Sequence, residues 1–386
     1  MDRRAGPTLT DVPEVPDDHE DRARGPWPWL ILLVLTGVFS LLLWWAGLPS
    51  PALFGSLAAG LLYALVAPRV PELPGPSLTF AQAVLGAAIG AALNPGTLTA
   101  MRQDWLPVLL ACLATLLISV VAGYLLSLRP GVSRATGVFA MIAGGASGVV
   151  AISRDLGADD RVVAVVQYLR VLIIMLGMPL VAQTIFGPGE GSAVTYGIEI
   201  FDPDEVTMIG PFMVGPGDLG PILAGLAVTA FSLVIGLALA RSIRIPAGAL
   251  IFPMAVAAVL AATGFGADVP SWLQSVGFAL IGLQVGLRFT RESLKAVLAL
   301  LPLATLTIVA LIVASAGLGV VLADVTGQSM LDGYLATTPG GLYAVLATAV
   351  GSGADVTFVL MVQIARLFVM LFCAPLLARL IAGPKT

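Results

Sequence analysis

The chain carries its own second copy. At a constant shift of 196 residues, Gly144-Gly145 recurs as Gly340-Gly341, Gly157-Ala158-Asp159 as Gly353-Ala354-Asp355, Gln167 as Gln363, Arg170 as Arg366 and Pro179 as Pro375, with no gap. Upstream, Gly86 and Gly90 match Gly282 and Gly286 at the same shift, and Pro49, Ala52 and Leu53 match Pro246, Ala249 and Leu250 after a one-residue slip. Shared apolar composition would align Leu with Val. It would not place Gln, Arg and Pro in register twice inside apolar segments. A fold for one half must serve the other, and repeated halves in a membrane chain are the usual build of a secondary transporter.

That the chain belongs in a membrane follows from composition. Hydrophobic residues make up 58% of 386 positions and charged residues 11%, with a mean hydropathy of +0.99; soluble domains run at roughly 45–50% apolar and about 25% charged. Apolar runs fall at 28–47, 51–67, 78–93, 105–127 and 162–186, then at 219–240, 247–264, 272–287, 296–322 and 356–382. Most approach the roughly 20 residues that cross a bilayer core as helix. Each half holds one more apolar segment, 135–152 and 331–350, interrupted by Gly144-Gly145-Ala146-Ser147-Gly148 and by Thr337-Thr338-Pro339-Gly340-Gly341.

Those two segments decide the expected topology, because Lys and Arg stay on the cytoplasmic side. If the interrupted segments are re-entrant hairpins, each half has five spans. With a cytoplasmic N-terminus, Arg3, Arg4, Arg22, Arg24, Arg69, Arg129, Arg134, Arg154, Arg161, Arg241, Arg244, Arg288, Arg291, Lys295, Arg379 and Lys385 then lie inside, against Arg102 outside. If the interrupted segments cross instead, seven of these move out and the split becomes nine against eight. The hairpin arrangement is therefore expected. Five spans is an odd number, so the second half enters from the opposite side and the repeats are inverted. The 187–218 connector falls outside and carries Glu190, Glu199, Asp202, Asp204, Glu205 and Asp218 but no Lys or Arg.

The domain reading that follows is a disordered cytoplasmic tail at 1–26, membrane repeat 1 at 27–186, the acidic extracytoplasmic connector at 187–218, membrane repeat 2 at 219–382 and a short C-terminal tail at 383–386. The N-terminal tail mixes Arg with Asp and Glu, carries Pro and lacks apolar periodicity, so it reads as neither a fold nor a signal peptide. Cys112 and Cys373 each sit in an apolar span and make no disulfide framework or metal motif; the single histidine is His19, in the tail. No cofactor or metal is expected, and an enzyme is disfavoured for want of a ligand cluster or nucleophile.

Two constellations carry the functional reading. Non-helical backbone at membrane depth is tolerated only where it is buried in protein or lines a water-filled cavity. At such breaks Gly144, Gly145, Gly340 and Gly341 let the chain turn and bring amides close to a ligand, Pro339 begins a turn, and Ser147, Thr337, Thr338 and Tyr343 add hydroxyls. The second constellation is Gln167-x-x-Arg170 and Gln363-x-x-Arg366, in which each pair shares one helix face. Arg170 lies about nine residues into the 162–186 run and Arg366 about eleven into 356–382, too deep to snorkel, and an ionisable group there is a functional candidate. Each Arg either meets an anionic substrate or braces its hairpin through carbonyls or through Asp159 or Asp355. Those two Asp residues stand at helix ends, where capping competes with a role in ion coupling. Gly86-x3-Gly90 and Gly282-x3-Gly286 read as faces for close helix packing, and Pro179 and Pro375 as kinks that shape the site.

With its Gly-Gly hairpin, Gly-Ala-Asp turn and Gln-x-x-Arg helix ending in Pro, the duplicated half resembles the AbrB-duplication family of bacterial membrane proteins over about residues 28–382. This family is distinct from the soluble DNA-binding AbrB. Its members are named as transcriptional regulators and as ammonia monooxygenases. Neither name is supported by these residues: the tail is too acidic and short for a DNA-reading module, and metal ligands are missing. Ala143 stands where the second half has Pro339, so the two tips are not expected to act identically.

The expectation is thus an all-α polytopic protein of the bacterial inner membrane, with ten transmembrane helices and two re-entrant hairpins in 5+5 inverted repeats and both termini cytoplasmic. Its partners are the bilayer and a small-molecule substrate, with no direct nucleic acid contact and room for a homo-oligomer. It transports a small solute, anionic or neutral. The competing class is a membrane sensor or regulator on the same fold.

Overall fold

The computed structural model describes residues 26–48, 50–67, 69–92, 104–130, 132–142, 158–186, 207–209, 212–214, 220–243, 245, 247–265, 268–289 and 300–382. Thirteen helices fall within them: α1 (Pro26–Trp45), α2 (Pro51–Val66), α3 (Gly75–Ala91), α4 (Trp105–Leu126), α5 (Arg134–Met141), α6 (Asp160–Ile185), α7 (Gly220–Ser242), α8 (Gly248–Ala262), α9 (Ser271–Gly286), α10 (Leu301–Thr326), α11 (Met330–Thr337), α12 (Leu342–Ser352) and α13 (Val356–Ala382). The fold is all-helical as expected, with one small addition outside the helices. Inside the acidic connector, β1 (Thr207–Ile209) pairs antiparallel with β2 (Phe212–Val214). Both strands are β-branched or aromatic-rich, the composition that suits a short pleated pair.

Five helices are long and apolar enough to cross a membrane: α1, α4, α6 from Val162, α7 from Leu223, and α10. Others, such as α2 and α8 at 16 and 15 residues, are shorter than the usual span. Leu, Val and Phe side chains cover the outer faces of α1, α4, α7 and α10, as a helix needs against lipid.

The helices fall into two groups that cut across the sequence repeats. In one, α2 packs on α9 and α1, α8 on α3 and α7, and α3 on α9 and α7. In the other, α4 packs on α10, α5 and α13, α11 on α10 and α13, α6 on α5, α10 and α12, and α12 on α13. Between the groups α9 reaches α6 and α12. One apolar core joins them, with Leu53, Leu57, Leu85, Leu250 and Ile281 from the first group against Ile174, Met178, Leu335, Val345 and Leu360 from the second.

Contacts made by one repeat on the other recur with the repeats exchanged. A Cβ on Gly86 would fall within 3.0 Å of Leu250 O and one on Gly90 within 3.0 Å of Met254 O; equally, Gly282 faces Leu53 O and Gly286 faces Leu57 O. Leu250 and Met254 are the counterparts of Leu53 and Leu57 after the one-residue slip. The glycines thus let α3 approach α8, and α9 approach α2, backbone to backbone, as small-residue faces do in membranes. The entry to α2 and to α8 also recurs: Ser50 (φ 51°) and Ala247 (φ 56°) are left-handed non-glycine residues one step before equivalent helices. That conformation costs roughly 1–2 kcal/mol per residue. At Ser50 the side chain donates to Ala347 O in α12 at 2.6 Å, a polar tie between the two groups.

Candidate functional site

The second hairpin is built from α11, a break over Thr338–Gly341, and α12. α11 starts on a capping box. The Ser329 hydroxyl accepts from Asp332 N at 3.1 Å, while Asp332 Oδ2 accepts from Ser329 N at 3.2 Å and from the Ser329 hydroxyl at 2.6 Å. The other carboxylate oxygen of Asp332, Oδ1, accepts from Asp355 N at 2.7 Å, and Asp355 Oδ1 accepts from Phe358 N at 3.0 Å in the first turn of α13. Repeat 1 builds the same joint with a hydroxyl. Thr136 N donates to Ser133 Oγ at 3.1 Å, Asp159 N donates to Thr136 Oγ1 at 3.0 Å, and Val162 N donates to Asp159 Oδ1 at 3.2 Å. Asp159 and Asp355, the ion-coupling candidates, are therefore placed as N-caps of α6 and α13, where the positive helix end favours a carboxylate.

In each repeat the short helix, α5 or α11, ends on a Gln-x-x-Arg pair. Gln363 Nε2 donates to the carbonyls of Leu335 (2.9 Å), Ala336 (3.1 Å) and Thr338 (3.3 Å), and Arg366 Nη1 to those of Thr338 (2.6 Å) and Thr337 (3.4 Å). Arg366 Nη2 also donates to Gln363 Oε1. In repeat 1, Gln167 Nε2 donates to Phe139 O at 2.8 Å and Arg170 Nη1 to Met141 O at 2.6 Å; Phe139 and Met141 are the counterparts of Leu335 and Thr337. The last carbonyls of a helix have no partner within it and carry partial negative charge, so an amide and a guanidinium are suited to them. All four side chains are buried: Gln167 is 1% exposed, Arg170 5%, Gln363 2% and Arg366 4%. The two repeats meet beside Arg170, where Gly340 of the second packs on Ile174 of the first.

The remaining candidates take different places. The Thr337 hydroxyl donates to Ser315 O (2.8 Å) and Gly333 O (2.9 Å), and that of Thr338 to Tyr334 O (2.6 Å). Both residues and Pro339 are buried. Gly341 has φ −63° and Gly340 is not among the left-handed glycines, so the expected need for glycine's conformational freedom is corrected here. Glycine serves at Gly340 through close approach: a Cβ there would meet Ile174 Cγ2 at 2.5 Å. The tip of the second hairpin thus packs on α6 of the first repeat, one turn beyond Arg170. Gly144, Gly145 and Ser147 lie outside the described residues. Pro179 sits inside α6 without ending it.

Some residues of the site escaped the sequence reading. Asp332 was one, although Ser133-x-x-Thr136 recurring as Ser329-x-x-Asp332 marks equivalent helix starts. Arg288 at the end of α9 stacks over Tyr168 of α6 at 4.9 Å. No local pattern announces this cross-group pair, because it depends on helices far apart in sequence. Cys112 donates weakly to Val362 O at 3.8 Å, a packed core position.

These features define a helical, membrane-like protein in which two short helices, one from each repeat, end on buried Gln-x-x-Arg pairs. Residues 53–382 match the family described as "AbrB: Transition state regulatory protein AbrB". The chain is 33% identical over 360 residues to "Putative regulator AbrB" of Escherichia coli (strain K12), covering 92% of this chain and 98% of that one. It is 24% identical over 367 residues to "Uncharacterized protein YhjN" of Bacillus subtilis (strain 168), covering 92% of each. The chain belongs to the AbrB family.

Proposed function

We propose that this chain is a secondary transporter that moves a small solute, anionic or neutral, by alternating access. In this reading it has ten spans and two re-entrant hairpins as 5+5 inverted repeats in a bacterial inner membrane, with both termini cytoplasmic. It performs no chemistry on its cargo. One observation carries the proposal: in each repeat a buried Gln-x-x-Arg pair takes the last carbonyls of a short helix, α5 or α11. A layer where two broken helices meet is where repeat-built transporters bind substrate. Gln167, Arg170, Thr337, Thr338, Pro339, Gly340, Gly341, Gln363 and Arg366 are the described candidates to line it, joined by Gly144, Gly145 and Ser147. The grouping of helices also supports it. The described second hairpin, both arginines, α4 and α10 stand in one group, joined to the other through a shared apolar core and polar ties such as Ser50 to Ala347 O, and alternating access in this reading moves one group against the other.

The test uses single cysteines at Ser147 and Thr338 in a protein whose Cys112 and Cys373 are alanine. Alternating access expects each to react with a membrane-impermeant thiol reagent from one face, Ser147→Cys from the cytoplasm and Thr338→Cys from outside, with an extent that changes between states. Thr338 is closed over in this conformation, so its reaction would report a second state. If both stay inert from either face under every condition, the tips are packing devices and the transporter reading is lost. The name "Putative regulator AbrB" of the relative motivates a second reading, a membrane regulator without flux. It expects one fixed pattern of reactivity and no exchange.

A further inference from the structure

The two Gln-x-x-Arg pairs are identical in sequence spacing but not in bonding. In repeat 2 the circuit is closed: Gln363 Oε1 accepts from Arg366 Nη2, and Arg366 Nη1 holds two carbonyls. In repeat 1 it is open. Among the described residues Gln167 Oε1 is buried with no donor and Arg170 Nε with no acceptor, while Arg170 Nη1 donates to Met141 O. Arg366 keeps its Nε without a partner as well. A buried acceptor and a buried charged donor on one helix face, each stripped of water and left unanswered, are costly unless something else completes them.

Charge gives the sign of what is missing. Two buried guanidiniums face the C-terminal ends of α5 and α11, each worth roughly half a negative charge, so about one net positive charge remains in the layer. Geometry gives the shape. The Nε edge of a guanidinium pairs in a planar, two-point manner with a carboxylate, and the Gln167 oxygen one turn away requires a donor beside that carboxylate.

We propose that the open arm of repeat 1 binds a small hydroxymonocarboxylate, its carboxylate on the Arg170 Nε edge and its hydroxyl donating to Gln167 Oε1. Arg366 is a positioning residue that holds the second hairpin against α6. This deepens the transporter reading and rests on it, since Gln167 and Arg170 are buried in this conformation and a ligand enters only when the second hairpin parts from α6.

The experiment measures thermal unfolding of the purified full-length protein in lipid nanodiscs with sodium lactate, sodium acetate, lactamide and inorganic phosphate at equal ionic strength, against sodium chloride. Ligand binding raises the apparent melting point by mass action. Lactate is expected to give a saturable rise, acetate a smaller one, and lactamide and phosphate no more than chloride. Gln167→Leu should reduce the lactate response to that of acetate, and Arg170→Lys, which keeps the charge but loses the planar edge, should weaken both at least tenfold. The assignment is overturned if lactamide or phosphate matches lactate, if lactate does no more than chloride, or if Gln167→Leu leaves the lactate preference intact. The unsubstituted protein decides the first two outcomes whatever the stability of the variants. Lactate binding without two-sided access of the hairpin tips would defeat transport but keep this site; two-sided access without a lactate response would defeat this site alone.

Discussion

Asp332 and Thr136 hold equivalent backbone amides at equivalent places, one with a carboxylate and one with a hydroxyl. Asp332 accepts from Ser329 N and from Asp355 N, whereas Thr136 accepts from Asp159 N alone of the two corresponding groups. Asp332→Ala would take the acceptor from the Asp355 amide in a part-buried joint, at about 1–3 kcal/mol, and leave the Ser329 amide at the exposed helix start to water. Asp332→Thr copies the first repeat and restores the bond to Asp355. Its loss should be less than half that of the alanine variant by thermal or denaturant unfolding. Equal losses would mean that the hydroxyl cannot replace the carboxylate and that the two joints are not equivalent. The residue scale was only partly legible beforehand. Repetition of Gln, Arg and Asp exposed the positions that matter. It placed Asp159 and Asp355 at helix ends, but it could not reveal that Gln167 and Gln363 differ in what their oxygens meet, because the carbonyls of a neighbouring helix set how each Gln and Arg turns.

At the scale of elements, the helix–helix contacts rest on glycines that meet backbone atoms. Lipid tails are as apolar as the helix surfaces, so close van der Waals fit supplies the attraction. Gly86→Ala would drive a methyl into the Leu250 carbonyl, a backbone group that cannot swing aside. α3 and α8 would have to separate, with an expected loss of about 1–3 kcal/mol, as for other overpacking changes. Gly317, inside α10, has nothing within 4 Å of its Cβ direction. Gly317→Ala should be neutral or stabilise by up to about 1 kcal/mol through helix propensity. Melting points in one micelle would separate them, and a Gly86→Ala protein as stable as Gly317→Ala would contradict the close approach. Apolar run lengths foretold the long helices to within a few residues, as with 105–127 against Trp105–Leu126. They missed the β1–β2 ladder, since three-residue strands in an acidic connector carry too short a pattern to read.

At the scale of the molecule, the proposed inverted arrangement sets the two faces of the membrane. Ser192 falls in the acidic connector and Lys295 in a basic stretch, and the partition of Lys and Arg puts them on opposite sides. Cysteines introduced at each, after replacement of Cys112 and Cys373, should react with an impermeant reagent from opposite faces in oriented vesicles. Labelling from the same face would sink the inverted arrangement. The exchanged contacts of Gly86 with Leu250 and Gly282 with Leu53 are independent of that experiment, because they describe helix packing and not sidedness.

By itself the sequence determined that the protein is helical, duplicated and made for a membrane, and it singled out the two Gln-x-x-Arg pairs. These properties are written in composition, in period and in exact recurrence, all of which are local or linear along the chain. Tertiary structure alone decided that the repeats interleave so that α2 lies on α9 and α3 on α8. It also decided that the arginines take the ends of the broken helices, and that one arm is closed by an internal bond while its twin stays open. The physical reason is that a buried guanidinium or amide oxygen takes whatever partner the packing of distant helices brings within hydrogen-bond reach, and two identical motifs meet different surroundings once their repeats fold around each other.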